Sequence, residues 1–139
     1  MLISIIGEEY LNNNLPYTCT DNPPESWVGS ELYFIFLLKN IEENNWNVER
    51  GIKKAISVLT SRVSGGNKGF NFFLSDGETV WAFRKGRPLY YIESLQPKYC
   101  AVAYKFTDDA QNNWKEVPEG YLVVMKKDTP LELIQIMRL

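Results

Sequence analysis

Histidine, a side chain widely used for acid–base chemistry and metal binding, does not occur in this chain of 139 residues. Its absence excludes Ser-His-Asp and Cys-His catalytic sets, a histidine general base and every metal site with an imidazole ligand. The two cysteines, Cys19 and Cys100, are too few for a thiolate zinc site. Cys100 lies in an apolar segment, which predicts a buried and unreactive thiol, whereas Cys19 lies in a polar segment, which predicts an exposed one.

Two pairs of adjacent carboxylates, Glu8-Glu9 and Asp108-Asp109, lie in segments predicted to be loops. A metal or acid–base site would need further ligands that converge on them from elsewhere, so solvation is the favoured interpretation. Residues 64–69 have the composition of a phosphate-binding loop, but they follow a predicted helix and precede a predicted strand, which is the reverse of a P-loop. The sequence therefore predicts no cofactor and no metal ion.

The composition is that of a soluble globular protein, with 45% apolar and 23% charged residues and a formal net charge of -2. This charge balance does not favour nucleic acid or an anionic membrane surface as a partner. The most apolar run, residues 32–38, is far shorter than the roughly 20 residues that span a bilayer. We therefore expect a cytoplasmic protein without a membrane span, folded as a single domain over residues 1–139.

The segment with the clearest structural signal is residues 69–86, which contain two apolar runs around a polar turn. Asp76-Gly77 favours a tight turn in which both central residues have positive φ, so the runs at 70–74 and 80–84 predict a hairpin. Because these runs are rich in aromatic and β-branched residues, we expect both strands to lie inside a sheet. The aromatic side chains are expected to pack in the core: Phe70, Phe72, Phe73, Trp81, Phe83, Tyr90 and Tyr91.

Two helices are predicted before this hairpin. Ser30 can cap the first helix, which runs to about Asn44. The first part of this helix is apolar on all sides, so other parts of the protein must cover it on more than one side. Asn47 caps the second helix, over residues 48–63, and Gly65-Gly66 ends it. Its apolar residues follow helical spacing along one stripe: Val48, Ile52, Ala55, Ile56, Leu59 and Val63.

The remaining strands are predicted at residues 2–6, 89–92, 98–106, 121–126 and 131–137, with a long polar segment at 8–27. The chain thus contains one strand, then two helices, then about six strands joined by hairpins. This order predicts an α+β fold in which two helices cover one face of a mostly antiparallel sheet.

Short motifs occur along the chain in a characteristic order: Val28-Gly29-Ser30-Glu31, then Ala82-Phe83-Arg84-Lys85-Gly86-Arg87-Pro88, then Cys100-Ala101-Val102-Ala103, then Trp114-Lys115-Glu116-Val117-Pro118-Glu119-Gly120. In this order and at this spacing, residues 30–124 resemble the later half of class II glutamine amidotransferase domains, which belong to the N-terminal-nucleophile hydrolase superfamily. The resemblance implies part of an αββα sandwich. The activity of the family that the chain resembles is the hydrolysis of glutamine to release ammonia.

The resemblance further implies a cysteine at the mature N-terminus, an Asn-Gly pair that binds the oxyanion and an aspartate that holds the α-amino group of glutamine. Here the chain begins Met1-Leu2, Ile6-Gly7 lies where the family has Asn-Gly, and Gly29 lies where the family has the aspartate. The arginine that grips the substrate carboxylate belongs to the first half of the family's domain, which has no counterpart here. We therefore predict no catalytic residue and no glutaminase activity.

Three functions are compatible with these motifs. The first, which we favour, is a catalytically inactive amidotransferase-like domain that acts as a binding, scaffold or regulatory subunit. The second is half of a split amidotransferase, completed by another chain that supplies the nucleophilic cysteine. The third is a different enzyme that binds acidic or amide ligands through Arg84, Glu93 or Asp108. Because a missing first half would expose an apolar sheet face, we expect a homodimer or another protein partner.

Overall fold

The structure is a computed structural model in which residues 29–62, 69–105 and 113–138 are described. The chain forms two compact units, Met1–Gly65 and Gly66–Leu139. Several predicted features lie outside the described residues: the strand at 2–6, the segment at 8–27 with Glu8-Glu9 and Cys19, the glycine-rich segment up to residue 68 with the Gly65-Gly66 helix end, and Asp108-Asp109. That the chain acts as one domain stays a prediction.

The first unit contains both predicted helices, α1 at Gly29–Glu43 and α2 at Val48–Arg62. Ser30 lies inside α1, so the prediction that it caps this helix is wrong, because the helix already includes Gly29. Asn47 does cap α2, since its Oδ1 accepts a hydrogen bond from the backbone N–H of Arg50 at 3.0 Å. The predicted stripe on α2 is buried at Ile52, Ala55, Ile56 and Leu59. Neither described helix is long and apolar enough to cross a membrane.

Gly51 allows the two helices to pack closely. A Cβ atom at Gly51 would lie 2.4 Å from the Cα atom of Ile41 and 2.7 Å from its backbone nitrogen. No side chain larger than a hydrogen atom therefore fits unless α1 moves. The turn between the helices contains two residues with positive φ, Asn45 at 56° and Trp46 at 61°. The N–H of Trp46 donates to the carbonyl of Ile41 at 2.9 Å, which ties this turn to the end of α1.

The second unit contains two antiparallel sheets. The four-stranded sheet consists of β1 (Phe72–Ser75), β2 (Thr79–Phe83), β6 (Tyr121–Lys126) and β7 (Glu132–Gln135), in that spatial order. The three-stranded sheet consists of β4 (Lys98–Ala103), β3 (Tyr90–Leu95) and β5 (Lys115–Glu116), again in spatial order. Two helices together with antiparallel sheets make this an α+β fold, as predicted.

Two strands differ from the prediction. Among the described strands, β1 lies at the edge of the four-stranded sheet with only β2 beside it, so the prediction of two interior hairpin strands holds for β2 alone. The sequence does not indicate β5 at all, because its two residues, Lys115 and Glu116, are both exposed and show no apolar alternation.

The turn between β1 and β2 is shifted by one residue from the prediction. Positive φ occurs at Gly77 (94°) and not at Asp76, so the central residues are Gly77 and Glu78, with glycine first as in a type II′ turn. Asp76 begins the turn instead, because its Oδ1 accepts hydrogen bonds from the N–H groups of Thr79 (2.8 Å) and Glu78 (3.0 Å). The bond from Thr79 is the main reason, followed by the bond from Glu78, that the pKa of the Asp76 carboxyl lies below its usual value.

The two sheets pack face to face around a small core. Its buried members are Ala82, Leu89, Val117 and Val123, against which Tyr91 and Val102 of the three-stranded sheet pack. The strand register aligns Phe73, Ala82, Val123 and Leu133 in one row across the four-stranded sheet. Ala82 and Val123 are fully buried, whereas Phe73 is 54% exposed and Leu133 is 36% exposed. The three-stranded sheet therefore covers the middle of this row and leaves both of its ends open.

Candidate functional site

Arg84, the residue after β2, holds the end of the first hairpin against the segment that leads into β6. Its Nη1 donates a hydrogen bond to the carbonyl of Val117 and lies 2.7 Å from Oε1 of Glu116. Its backbone N–H donates to the carbonyl of Tyr121 at 3.0 Å, and its own carbonyl accepts from the N–H of Gly120 at 2.9 Å. The side chain of Arg84 is only 13% exposed, so the two contacts of Nη1 replace part of its hydration, whereas the buried Nε has no hydrogen-bond partner among the described residues. We call this set of contacts the Arg84 junction.

A second group of contacts extends the Arg84 junction over residues 85–87. Lys85 Nζ and the N–H of Gly86 both donate to Oε1 of Glu119, each at 3.0 Å. The hydrogen bond from Lys85 is the main reason that the pKa of the Glu119 carboxyl lies below its usual value. Asn71 uses both ends of its amide: Oδ1 accepts from the N–H of Lys85 at 2.7 Å, and Nδ2 donates to the carbonyl of Arg87 at 3.0 Å.

These contacts bring together the two longest motifs of the family resemblance, residues 82–88 and residues 114–120. Their order along the chain indicates no contact between them, yet the structure joins them by hydrogen bonds and ion pairs. The ionic side chains involved are Arg84, Lys85, Glu116 and Glu119. Each of them therefore has a structural role, which is to fix the loop after β2 against the turn before β6.

The other residues predicted for chemistry are not gathered in one place. Cys100 is exposed on β4, so the prediction of a buried thiol is wrong. Among the described strands β4 lies at the edge of its sheet, where an apolar sequence does not ensure burial. Glu93 is engaged with the main chain, since its Oε2 accepts from the N–H of Leu131 at 2.6 Å. The described part of the chain contains no group of three or more Cys, Asp or Glu side chains that could hold a metal ion.

Of the three positions that match lost family sites, Gly29 is described, and Ile6 and Gly7 lie outside the described residues. Gly29 is the first residue of α1. Because glycine has no side chain beyond hydrogen, this position offers only backbone groups where the family has a carboxylate. Arg84 and Glu93, considered above as ligand-binding residues, are both bound within the protein, and Asp108 lies outside the described residues.

A cleft of about 740 Å³ opens in the second unit beside the connection between β2 and β3. It is lined by Asn71, Phe73, Arg87, Pro88, Leu89, Tyr90, Tyr104 and Lys105. Phe73 and Tyr104 are 54% and 67% exposed. Arg87 and Lys105 are exposed, and neither forms an ion pair with a carboxylate of the described residues. Among the described residues, two cations and two exposed aromatic rings thus line the same cleft, and none of the described lining residues is acidic.

Sequence reasoning did not find this cleft because it assigned every aromatic residue of the hairpin to the core. That prediction is right for Phe70, Trp81 and Phe83, which are buried. Phe72 is half-buried, and the prediction is wrong for Phe73, which is exposed. Phe73 lies on β1, an edge strand among the described strands, at one end of the row that also contains Ala82. The cations of residues 87 and 105 are distant in sequence, so no local pattern indicates that they line the same cleft.

A scan of the sequence against protein-family models finds no match, and a search of curated proteins finds none either. Among solved structures, the chain is similar to a glutamine aminotransferase class-II domain protein from Silicibacter pomeroyi, with a TM-score of 0.64 and 15% sequence identity. The match covers 96% of this chain and 61% of that chain. At this identity the similarity concerns the fold alone. The fold agrees with the one that the motifs imply, and the chain spans about three fifths of the length of this neighbour.

Proposed function

We propose that this chain is a catalytically inactive, glutamine-amidotransferase-like domain that acts as a binding, scaffold or regulatory subunit. The observation that carries the proposal is the Arg84 junction. Its ionic groups pair within the protein, Arg84 with Glu116 at 2.7 Å and Lys85 with Glu119 at 3.0 Å. A catalytic site needs polar groups that are held in place and remain available to the substrate. The motifs that resemble those of amidotransferases therefore stabilise the fold, and their paired ionic groups are not available to a substrate.

Gly29 and Cys100 add support. Gly29, at the start of α1, provides no carboxylate for the α-amino group of a glutamine substrate. Cys100 lies opposite Glu93 in the register of β3 and β4, and the chain contains no histidine that could act as a base for its thiol.

A glutaminase assay tests the proposal. The purified full chain, at micromolar concentration, is incubated with glutamine, and ammonia is measured against a buffer blank and against an active class II amidotransferase. We expect no ammonia above the blank. Cys19→Ser and Cys100→Ser variants serve as controls for a contaminating enzyme. Ammonia release by the wild type that disappears in either variant would contradict the proposal.

The family resemblance also carries a second candidate function. In this alternative the chain is half of a split amidotransferase, and another chain supplies the nucleophilic cysteine. The test is the same assay on the tagged chain purified from its native cells with its bound proteins. Activity in that complex and not in the isolated chain would establish the split enzyme and refute the scaffold. Gly29 argues against this candidate, because a partner cannot restore a carboxylate on α1.

A binding role needs a surface for another protein, and the hairpin of β3 and β4 offers one. Leu95 is 81% exposed at the end of β3, and Tyr99 is 47% exposed at the start of β4. Since β4 is an edge strand among the described strands, its outward backbone groups are available to another strand. We propose a second copy of the chain as the partner, because an edge strand can pair with its own equivalent about a two-fold axis.

Light scattering at low micromolar concentration tests this partner. We expect a mass of twice 16.1 kDa for the wild type and 16.1 kDa for Tyr99→Glu. Phe34→Glu is the matched control, since Phe34 is exposed to a similar extent (49%) but lies on α1. A monomeric wild type, or equal loss of the dimer in both variants, would refute pairing through β4.

A further inference from the structure

We propose that the cleft lined by Phe73, Arg87, Tyr104 and Lys105 binds a small ligand that carries an aromatic ring and a phosphate monoester, of which a mononucleotide is the simplest biological example. The inference goes beyond the proposed function. It holds whether or not the domain is catalytically inactive, because none of these four residues belongs to the positions that match the amidotransferase site.

The size and the aromatic lining of the cleft suit a planar ligand. Its volume of about 740 Å³ falls within the range of small-molecule pockets, about 300–1,000 Å³. Two of its aromatic side chains, Phe73 and Tyr104, expose more than half of their surface. Rings exposed in this way are platforms on which a flat heterocycle stacks, and such stacking tolerates any base because every base has a π-face.

The charges in the cleft specify an anion. Arg87 and Lys105 contribute two positive charges, and none of the lining residues that the structure describes is acidic. A phosphate monoester carries about -1.5 to -2 charges at pH 7, which matches two cations better than a single carboxylate does. Lys105 Nζ lies over the ring of Tyr104, 5.9 Å from its centroid, so an anionic group bound beside Tyr104 would lie near the ammonium. The guanidinium fork of Arg87 is suited to phosphate oxygens.

The wall of the cleft is fixed in the absence of a ligand. Asn71 Nδ2 donates to the carbonyl of Arg87, and Asn71 Oδ1 accepts from the backbone N–H of Lys85. The side-chain amide of Asn71 therefore holds the loop that carries Arg87 at two points. Leu89 is 1% exposed, and its carbonyl accepts from the N–H of Val117 at 2.8 Å. A preformed wall reduces the conformational entropy lost on binding.

A mononucleotide fits these observations better than a nucleic acid. A polymer would require a positively charged groove that follows its backbone beyond a single cleft. The formal net charge of this chain is -2, which disfavours a polyanion at long range. The cationic side chains among the described lining residues are Arg87 and Lys105, which is enough for one phosphate group.

Calorimetric titration of the full chain tests the ligand class. The probes are AMP, adenosine and ribose 5-phosphate, so that the complete ligand is compared with each of its halves. We expect saturable AMP binding with a Kd below about 1 mM, and binding at least about tenfold weaker for either half. AMP affinity is expected to fall as the phosphate gains a proton below about pH 6.

Matched charge variants locate the site. The double variant Arg87→Gln/Lys105→Gln is expected to weaken AMP binding at least about tenfold. The control Arg50→Gln/Lys127→Gln removes the same charge from exposed positions elsewhere, and its AMP affinity is expected to stay within about twofold of the wild type. Thermal unfolding of each variant confirms that it is folded. A second variant, Tyr104→Ala, is expected to weaken AMP and leave ribose 5-phosphate unchanged.

Several outcomes would overturn the proposal. They are the absence of saturable AMP binding to the wild type, equal loss of affinity in both charge variants, and a ribose 5-phosphate affinity equal to that of AMP. Tighter binding of a short single-stranded oligothymidylate than of AMP would assign the cleft to nucleic acid and overturn the mononucleotide. The glutaminase assay is independent of all of these results, so the two proposals fail separately.

Discussion

Phe73 and Ala82 lie directly opposite each other on β1 and β2, yet Ala82 is fully buried while Phe73 is 54% exposed. Opposite residues of an antiparallel pair share one face of the sheet, so the difference reflects what covers that face. Tyr91 and Val102 of the three-stranded sheet pack against the core that contains Ala82, and Phe73 is not part of this core. Its ring instead forms one wall of the 740 Å³ cleft.

Replacement of Arg84 by methionine is expected to lower the free energy of unfolding by about 1–3 kcal/mol, because the carbonyl of Val117 loses a charged donor at a mostly buried position. Glu116→Gln is the matched control. Its side chain is 54% exposed, so we expect a loss below about 1 kcal/mol. Urea denaturation measures both values. Equal losses in the two variants would show that the ion pair, and not the bond to Val117, stabilises the Arg84 junction.

Gly51→Ala is expected to destabilise the helical hairpin. The added Cβ atom would overlap the backbone of Ile41 at 2.4 Å, and such overpacking costs about 1–3 kcal/mol. Alanine recovers up to about 1 kcal/mol through its higher helix propensity. Ser57→Ala, at an exposed position of the same helix, isolates the propensity effect. A melting temperature of Gly51→Ala at or above that of the wild type would mean that α1 and α2 do not pack as closely as described.

Asp76→Asn is expected to reduce the loss of stability on acidification. The folded-state pKa of Asp76 lies below its ordinary value of 3.8, so its contribution is present above that value and is lost as the pH falls through the folded-state pKa. The wild type and the variant should therefore differ most at about pH 7 and converge as the pH falls below 3.8 and through the folded-state pKa. Glu78→Gln, whose carboxylate accepts no hydrogen bond from the described residues, controls for charge in the turn. A pH-independent difference for Asp76→Asn would contradict the assigned hydrogen bonds.

The helices and the hairpin could be predicted because their signals are local. The stripe of α2 and the cap at Asn47 follow from residues within one or two turns of each other. The turn at residues 76–79 was predicted one position too early because Asp76 tolerates the left-handed region and also accepts hydrogen bonds at the start of a turn. In the structure Asp76 accepts hydrogen bonds at the start of the turn, and this places Gly77 and Glu78 at its centre.

The candidate sites could not be predicted because they depend on contacts between distant residues. Cys100 and Phe73 have apolar neighbours in sequence, and their exposure follows from lying on edge strands, which only the sheet order reveals. The resemblance to amidotransferases indicates the order of the motifs around Arg84 and Glu119. It does not indicate that they are bound to each other, since three further strands, β3, β4 and β5, lie between them along the chain.

The Arg84 junction has a consequence for how the second unit unfolds. The bond from Arg84 to Val117 spans 33 positions, and β3, β4 and β5 all lie within the loop that it closes. Closing such a loop costs chain entropy that is recovered only when the enclosed strands are themselves paired. We therefore expect residues 66–139 to melt as one cooperative block, so that hydrogen exchange from β2 and from β3 reports the same opening free energy.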